Sequence, residues 1–199
     1  MPKLRDETYA ARRAHILDAA RTCFARRGFH AASMHDLQAE AGVSAGAIYV
    51  YFRSKDDIVT AIAEEHLDRL DHALEQALSG RDGASLRDTL MGVLAAVERV
   101  AEGPSRGIAF DIWGEAARDG ETGRIARERL GRSRERLVDA ARRAITAGEL
   151  PVAADAEQTG AALFAACVPG YYTQRLVLGD GDPAAYADGL LAAVAVGTR

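Results

Sequence analysis

Ser33 to Lys55, SMHDLQAEAGVSAGAIYVYFRSK, carries three helix starts within 23 residues. Ser33 is placed to cap a first short helix: its hydroxyl can take the free N–H of Asp36, whose carboxylate can reach back. Ser44 stands where a second helix, running to about Tyr51, would be capped. Ser54 followed by Asp57 repeats the capping spacing for a third, long helix. Between the first two, Gly42 in Ala41-Gly42-Val43 can supply the positive φ that a tight turn between helices needs. Leu37, Ala41, Val43, Ile48 and Phe52 fall on the inward side. The pattern predicts a helix-turn-helix.

In such a unit the second helix enters the major groove of DNA with its N-terminal residues at base edges, and the first crosses the backbone. The entry here, Ser44-Ala45-Gly46-Ala47, is small, so the backbone can come close to the bases. Ser44 can hydrogen-bond a base edge, and Ala45 or Ala47 can touch a thymine methyl. Tyr49, Tyr51 and Lys55 follow where two hydroxyls and an ammonium can reach phosphates, beside the free N–H groups of the helix after Ser54. Both elements also have a plainer use. Many helical proteins join two short helices through glycine, and paired tyrosines often serve as half-buried packing.

From about His15 to Leu67 the chain resembles the DNA-binding domain of the TetR (tetracycline repressor) family of bacterial transcriptional regulators. The resemblance is carried by Ile16-Leu17-Asp18-Ala19-Ala20 leading to Phe24 and Gly28-Phe29, by Ala41-Gly42-Val43-Ser44, by Ile48-Tyr49-Val50-Tyr51-Phe52, and by Ser54-Lys55. It implies a homodimer that binds a roughly palindromic operator and is released when a small molecule enters its C-terminal domain. Matched position by position, it implies phosphate contacts for Tyr49, Tyr51 and Lys55 and a phosphate anchor at Ser33. His35, Ser44, Ala45 and Gly46 would then face bases. Ala45 is small where some relatives carry a long base-reading side chain.

The charge distribution fits that reading better than its sum. The net charge is −4, but residues 1–55 hold 9 Lys+Arg against 5 Asp+Glu, and residues 56–199 hold 16 against 24. A basic head on an acidic body suits docking one end on phosphate, with strong salt dependence. At 48% hydrophobic and 27% charged, 199 residues amply supply a globular core. The longest nearly apolar run, residues 160–172, falls short of the ~20 residues of a membrane span. Residues 1–7 are polar and lack the apolar core of a signal peptide, which predicts a cytoplasmic chain.

Taken in order, the punctuation predicts an all-α protein of about nine helices without strands. Residues 1–53 form a three-helix DNA-binding domain, and residues 54–199 a helical effector-binding and dimerisation domain. The first helix runs from between Asp6 and Tyr9 to Arg27, on a stripe of Ile16, Ala20 and Phe24, and ends at Gly28. Before it, Lys3 and Arg5 sit on an arm that either reaches a minor groove or frays in solvent. The long helix after Ser54 runs to about Leu78 and Gly80. Ser85 with Asp88 opens another that Gly103-Pro104 closes. Helices over Arg106–Arg118 and Glu121–Ala147 follow, then one from Asp155 to Gly179 that Pro169 kinks, and one from Pro183.

The last two helices are expected to form the homodimer. Leu163, Phe164, Val168, Tyr172, Leu176, Leu190, Leu191 and Val194 offer more apolar surface than one helix pair leaves in water, and two pairs bury it as a four-helix bundle. Around the Pro169-Gly170 kink lie Phe164, Tyr171, Tyr172 and Gln174. With Phe110 and Trp113, which the family would place near the same cavity, they are the expected contacts of a small organic effector, unless they are simply core. Asp111 and Glu115 would favour a cationic effector if they point inward.

No catalytic set, metal spacing, phosphate loop or dinucleotide loop is present, so neither enzyme activity nor a cofactor is expected. The alternatives are an all-helical enzyme or small-molecule-binding protein using the C-terminal cavity, a helical scaffold, and a thiol switch at Cys23 or Cys167. Asp68 and His72, one turn apart, form a weak metal pair. His66 and His72, six apart, lie on different faces.

Overall fold

The computed structural model describes residues 2–79, 83–102, 106–118 and 120–195. Ten α-helices are formed among them: α1 Pro2–Ala31, α2 Met34–Ala41, α3 Ala45–Ile48, α4 Lys55–Leu78, α5 Leu86–Ala101, α6 Ala109–Ala116, α7 Glu121–Thr146, α8 Ala156–Ala165, α9 Tyr171–Leu176 and α10 Pro183–Ala195. A 3₁₀ turn, Arg106–Ile108, precedes α6, and a π turn, Ala166–Gly170, joins α8 to α9. With α8, the π turn and α9 taken as one interrupted helix, the described residues form nine helices, as expected. No strand occurs among them. The expected stops at Gly80 and at Gly103-Pro104, and the side chains of Lys3 and Arg5, lie outside the described residues.

The chain divides into two compact units. The first comprises Met1–His66 with Pro104–Ala126, the second Leu67–Gly103 with Arg127–Arg199.

In the first unit, Ile16, Leu17, Ala20, Cys23 and Phe24 of α1 are buried along one stripe. Gly28, at φ 75° and ψ 163°, breaks α1, and Phe29 turns back so that its ring meets that of Phe24 edge-on at 4.8 Å. The positive φ is what a glycine permits without Cβ strain. His15 Nε2 lies 2.8 Å from the carbonyl oxygen of Ala41, Arg27 pairs with Asp36 at 3.1 Å, and Arg26 pairs with Glu40, so α2 is tied to α1 along its length. The buried Arg21 guanidinium is matched by Asp18 at 2.6 Å and by Glu65 of α4, which offsets the cost of taking its charge out of water. The start of α7 joins α4 through the hydroxyls of Thr122 and Thr60 at 2.7 Å.

In the second unit, α5 presents Leu90, Val93, Leu94 and Val97 to the core and packs against the π turn, α9 and α10. Asp71 of α4 gathers three side chains of α7: Arg136, Arg132 at 3.7 Å and the Ser133 hydroxyl at 3.3 Å. Asp155 caps α8 as expected, taking the N–H groups of Glu157 and Gln158 at 2.8 and 3.1 Å. Pro169 produces a π turn, since its missing N–H breaks the regular ladder. No helix among the described residues is long and apolar enough to cross a membrane.

Candidate DNA-contact surface

The turn between α2 and α3 is built as its residues require. Asp36 N–H donates to Ser33 Oγ at 3.2 Å, and Ser33 N–H donates back to the Asp36 carboxylate at 2.9 Å, completing the capping box. The Ser33 hydroxyl also donates to that carboxylate at 2.6 Å. These bonds, aided by the nearby Arg27, hold the Asp36 carboxyl below the usual carboxylate range. Gly42 closes α2 in the left-handed conformation, φ 61° and ψ 33°.

Three local expectations need correction. Ser44 occupies the cap position of α3, but its side chain makes no capping bond; the one-turn helix starts instead on the backbone bond from Ala47 N–H to the Ser44 carbonyl, 3.0 Å. Regular helix ends at Ile48 rather than near Tyr51. Beyond it the chain continues in turns, with the N–H groups of Tyr51 and Phe52 on the Ile48 carbonyl, both 3.0 Å. At α4 the Ser54 hydroxyl accepts from Asp57 N–H at 3.1 Å, but the Asp57 carboxylate takes the N–H of Arg53, one residue earlier than in a standard box.

On this framework Ser33, His35, Ser44, Ala45 and Gly46 are exposed, and Tyr49 is half exposed. Ile48 and Phe52 are buried beneath them. The face is small and open at the start of α3 and ringed by side chains that can donate to phosphate. Lys55 is committed in part: its ammonium donates to the carbonyl oxygens of His30 and Ala32, at 3.2 and 3.0 Å. One N–H of its three is left for a phosphate. The Tyr51 ring lies against Tyr9 of α1, with centroids 4.6 Å apart. Tyr9 was not singled out in the sequence, and no local spacing points to its contact with Tyr51.

The six residues expected around an effector fall in both units. Phe110 and Trp113, on α6, belong to the first, where Phe110 is exposed and Trp113 is partly so. In the second, Tyr171 and Tyr172 are fully buried, while Phe164 and Gln174 are partly exposed. Tyr171 O–H donates to the Glu98 carboxylate at 2.8 Å, and burial together with that bond raises its pKa well above a normal tyrosine. Gln174 lines a small cleft of about 140 Å³ with Asp180, Asp182 and Tyr186. Asp111 is raised above its ordinary carboxyl value, chiefly by burial.

The apolar surface expected to serve a homodimer is narrower than the sequence suggested. Leu163, Val168 and Tyr172 are 3%, 0% and 0% exposed, so they fill the second unit's own core. Phe164, Leu176, Leu190, Leu191 and Val194 retain exposed surface. Leu190, Ala193 and Val194 of α10 line an apolar groove of about 440 Å³ with Ala162, Leu163 and Ala166.

The weak metal pair is engaged elsewhere: Asp68 pairs with Arg129 at 2.9 Å, and His72 lies 2.9 Å from the Gln76 amide. Among the described residues no three His, Cys, Asp or Glu side chains are grouped to hold a metal. Both cysteines are buried free thiols. Burial raises Cys167 to about 12 and, with the Asp36 carboxylate, raises Cys23.

Residues 16–62, the span from the core stripe of α1 into α4, match the profile of "Bacterial regulatory proteins, tetR family". Over this span the chain carries a DNA-binding domain of the TetR type. A curated relative, the HTH-type transcriptional repressor Rv1474c of Mycobacterium tuberculosis, is 40% identical over 92 residues, 45% of this chain and 46% of that protein. The chain thus matches less than half the length of that relative. Over nearly the whole chain the likeness is one of fold. The TetR-family regulator PfmR of Thermus thermophilus superposes with a TM-score of 0.72 at 25% identity, covering 88% of this chain and 93% of that one. FadR of Bacillus subtilis, solved in complex with stearoyl-CoA, gives 0.71 at 21% identity, covering 94% and 99%.

Proposed function

We propose that this chain is a ligand-responsive transcriptional regulator of the TetR type, in the first instance a repressor, that binds a palindromic operator as a homodimer. The observation that carries the reading is the exposed, small-residue start of α3, Ser44-Ala45-Gly46, standing on buried Ile48 and Phe52 beside Tyr49, Tyr51 and Lys55. Ser44, Ala45, Gly46 and His35 face the bases; Ser33, Tyr49, Tyr51 and the remaining N–H of Lys55 face phosphates. The named M. tuberculosis relative is a repressor, which favours gene regulation over an enzyme using a C-terminal cavity.

Homodimerisation is assigned to α8 and α10, whose apolar groove would be covered by the same surface of a second copy. The effector is a small organic molecule contacting Phe164, Tyr171, Tyr172 and Gln174 of the second unit. Two observations support this: Tyr171 and Tyr172 directly follow a π turn, an irregularity that recurs at functional sites, and the same fold holds stearoyl-CoA in B. subtilis FadR. Effector binding favours a state in which the two recognition helices no longer fit one operator, and a differential affinity of a few kcal/mol suffices.

Hydroxyl-radical footprinting on DNA from upstream of the coding region tests the proposal. Two protected patches about one helical turn apart, ~34–36 Å, are expected from a dimer. A single patch, or uniform protection at every concentration, would contradict it.

A further inference from the structure

Tyr9 and Arg13 stand one turn apart on α1, so their side chains share a face. Each meets one of the two aromatic residues where the recognition segment ends. The Tyr9 ring lies 4.6 Å from the Tyr51 ring at an interplanar angle of 34°, and the Arg13 guanidinium lies 5.1 Å over the ring of Phe52. Arg13 is in turn held by Glu65 at 3.5 Å. Phe52 is buried, whereas Tyr51 is only partly so, and Tyr9 is 45% exposed.

The segment these residues meet has little order of its own. Its regular helix is the four residues Ala45–Ile48, and beyond Ile48 the backbone is held by single turn bonds. A one-turn helix is far below the length that is stable by itself. The direction of Tyr51 therefore depends on what its ring rests against, and the Tyr9 ring is one such support. A side chain already held in its bound orientation loses less freedom on docking, which raises affinity without a new contact to the ligand.

We infer that Tyr9 is a positioning residue for DNA binding: its ring fixes Tyr51 so that the Tyr51 hydroxyl is presented to a phosphate, while Tyr9 itself makes no contact with DNA. This rests on the reading of Tyr51 as a phosphate contact.

The test is fluorescence anisotropy at one low salt concentration, on an upstream fragment that the unaltered full-length protein binds. Tyr9→Ala, Tyr9→Phe, Tyr51→Ala and the Tyr9→Ala/Tyr51→Ala pair are compared, with each variant's melting temperature recorded. From the usual strength of an aromatic pair, Tyr9→Ala should weaken binding by about 2- to 10-fold. Tyr9→Phe, which keeps the ring, should restore it, and the double variant should bind no more weakly than Tyr51→Ala alone. Tyr9→Ala binding like the unaltered protein while Tyr51→Ala binds weakly overturns the inference. So does a double variant whose loss is the product of the two single losses, or a Tyr9→Phe as weak as Tyr9→Ala, since either makes Tyr9 an independent contact. Tyr51→Ala binding normally would remove the phosphate-contact reading itself and the inference with it, an outcome distinct from the others.

Discussion

The ammonium of Lys55, in the first turn of α4, donates to the carbonyl oxygen of Ala32, 3.0 Å away, and also reaches the carbonyl of His30. Those carbonyls belong to the last turn of α1 and to the link that follows it, so one side chain clips the start of α4 to the end of α1. Lys55→Met keeps the stem and removes the charge. It should lower stability by about 1–2 kcal/mol, the worth of charge-assisted hydrogen bonds that are only part-buried, and should also weaken DNA binding. Thermal unfolding beside a DNA titration checks both; an unchanged melting temperature would show that the clip contributes nothing.

Two serines at helix starts should behave oppositely. Ser33→Ala removes a closed capping box and should cost about 0.5–2 kcal/mol of stability. Ser44→Ala removes no capping bond, so the melting temperature should stay put while DNA affinity falls. Denaturant unfolding of the two variants distinguishes them.

The Ser33 box also has a pH signature. Because the Asp36 carboxyl is held below its ordinary value by the Ser33 hydroxyl and N–H, its contribution is present above the unfolded carboxyl pKa of about 3.9 and is lost as pH falls through the lower folded value. Stability measured from pH 6 downward should therefore decline more steeply below about pH 4 in the unaltered protein than in Ser33→Ala. Parallel curves would contradict this.

Gly160 of α8 faces the backbone of α7 so closely that a Cβ built on it would lie 2.4 Å from the Cα of Val138. Backbone cannot yield as a side-chain tip can. Gly160→Ala should force the helices apart and destabilise the second unit by about 1–3 kcal/mol, as overpacking does. Urea unfolding would reveal it.

Thiol chemistry offers a direct check on the redox alternative. Cys167, raised to about 12 by burial, and buried Cys23 should resist a thiol reagent at pH 8 in the folded state and react fully after unfolding in guanidinium. Rapid reaction of either thiol in the native protein would reopen the switch reading.

The helix-turn-helix was legible because its determinants are local. Ser33 with Asp36, and Gly42, act over three or four residues, and those spacings are visible in the chain. Some errors lay between competing local partners, others where a residue met a distant one. The Asp57 carboxylate reaches Arg53 rather than Ser54, and α3 starts on its backbone while the Ser44 hydroxyl remains free for other use. Pro169 announced an irregularity but not that it would be a π turn. Tyr171 and Tyr172 were readable as aromatic, but the Glu98 carboxylate that receives the Tyr171 hydroxyl is 73 residues away. Leu163, Val168 and Tyr172 looked like spare apolar surface because hydropathy alone does not tell a residue buried in its own core from one kept for a partner. Tyr9 was overlooked for the reverse reason: it is exposed, and its role follows from the ring it touches.

The central claim is that the exposed start of α3 and its flanking tyrosines bind operator DNA. The most direct measurement is fluorescence anisotropy of the full-length protein on DNA from upstream of its own coding region, across a salt series, beside Tyr49→Ala. The account predicts tight binding to one palindromic fragment, a logarithm of affinity that falls linearly with the logarithm of salt concentration, and weaker binding by the variant. A folded protein that binds no fragment even at low salt, or a Tyr49→Ala variant that binds the preferred fragment as tightly as the unaltered chain, would contradict it.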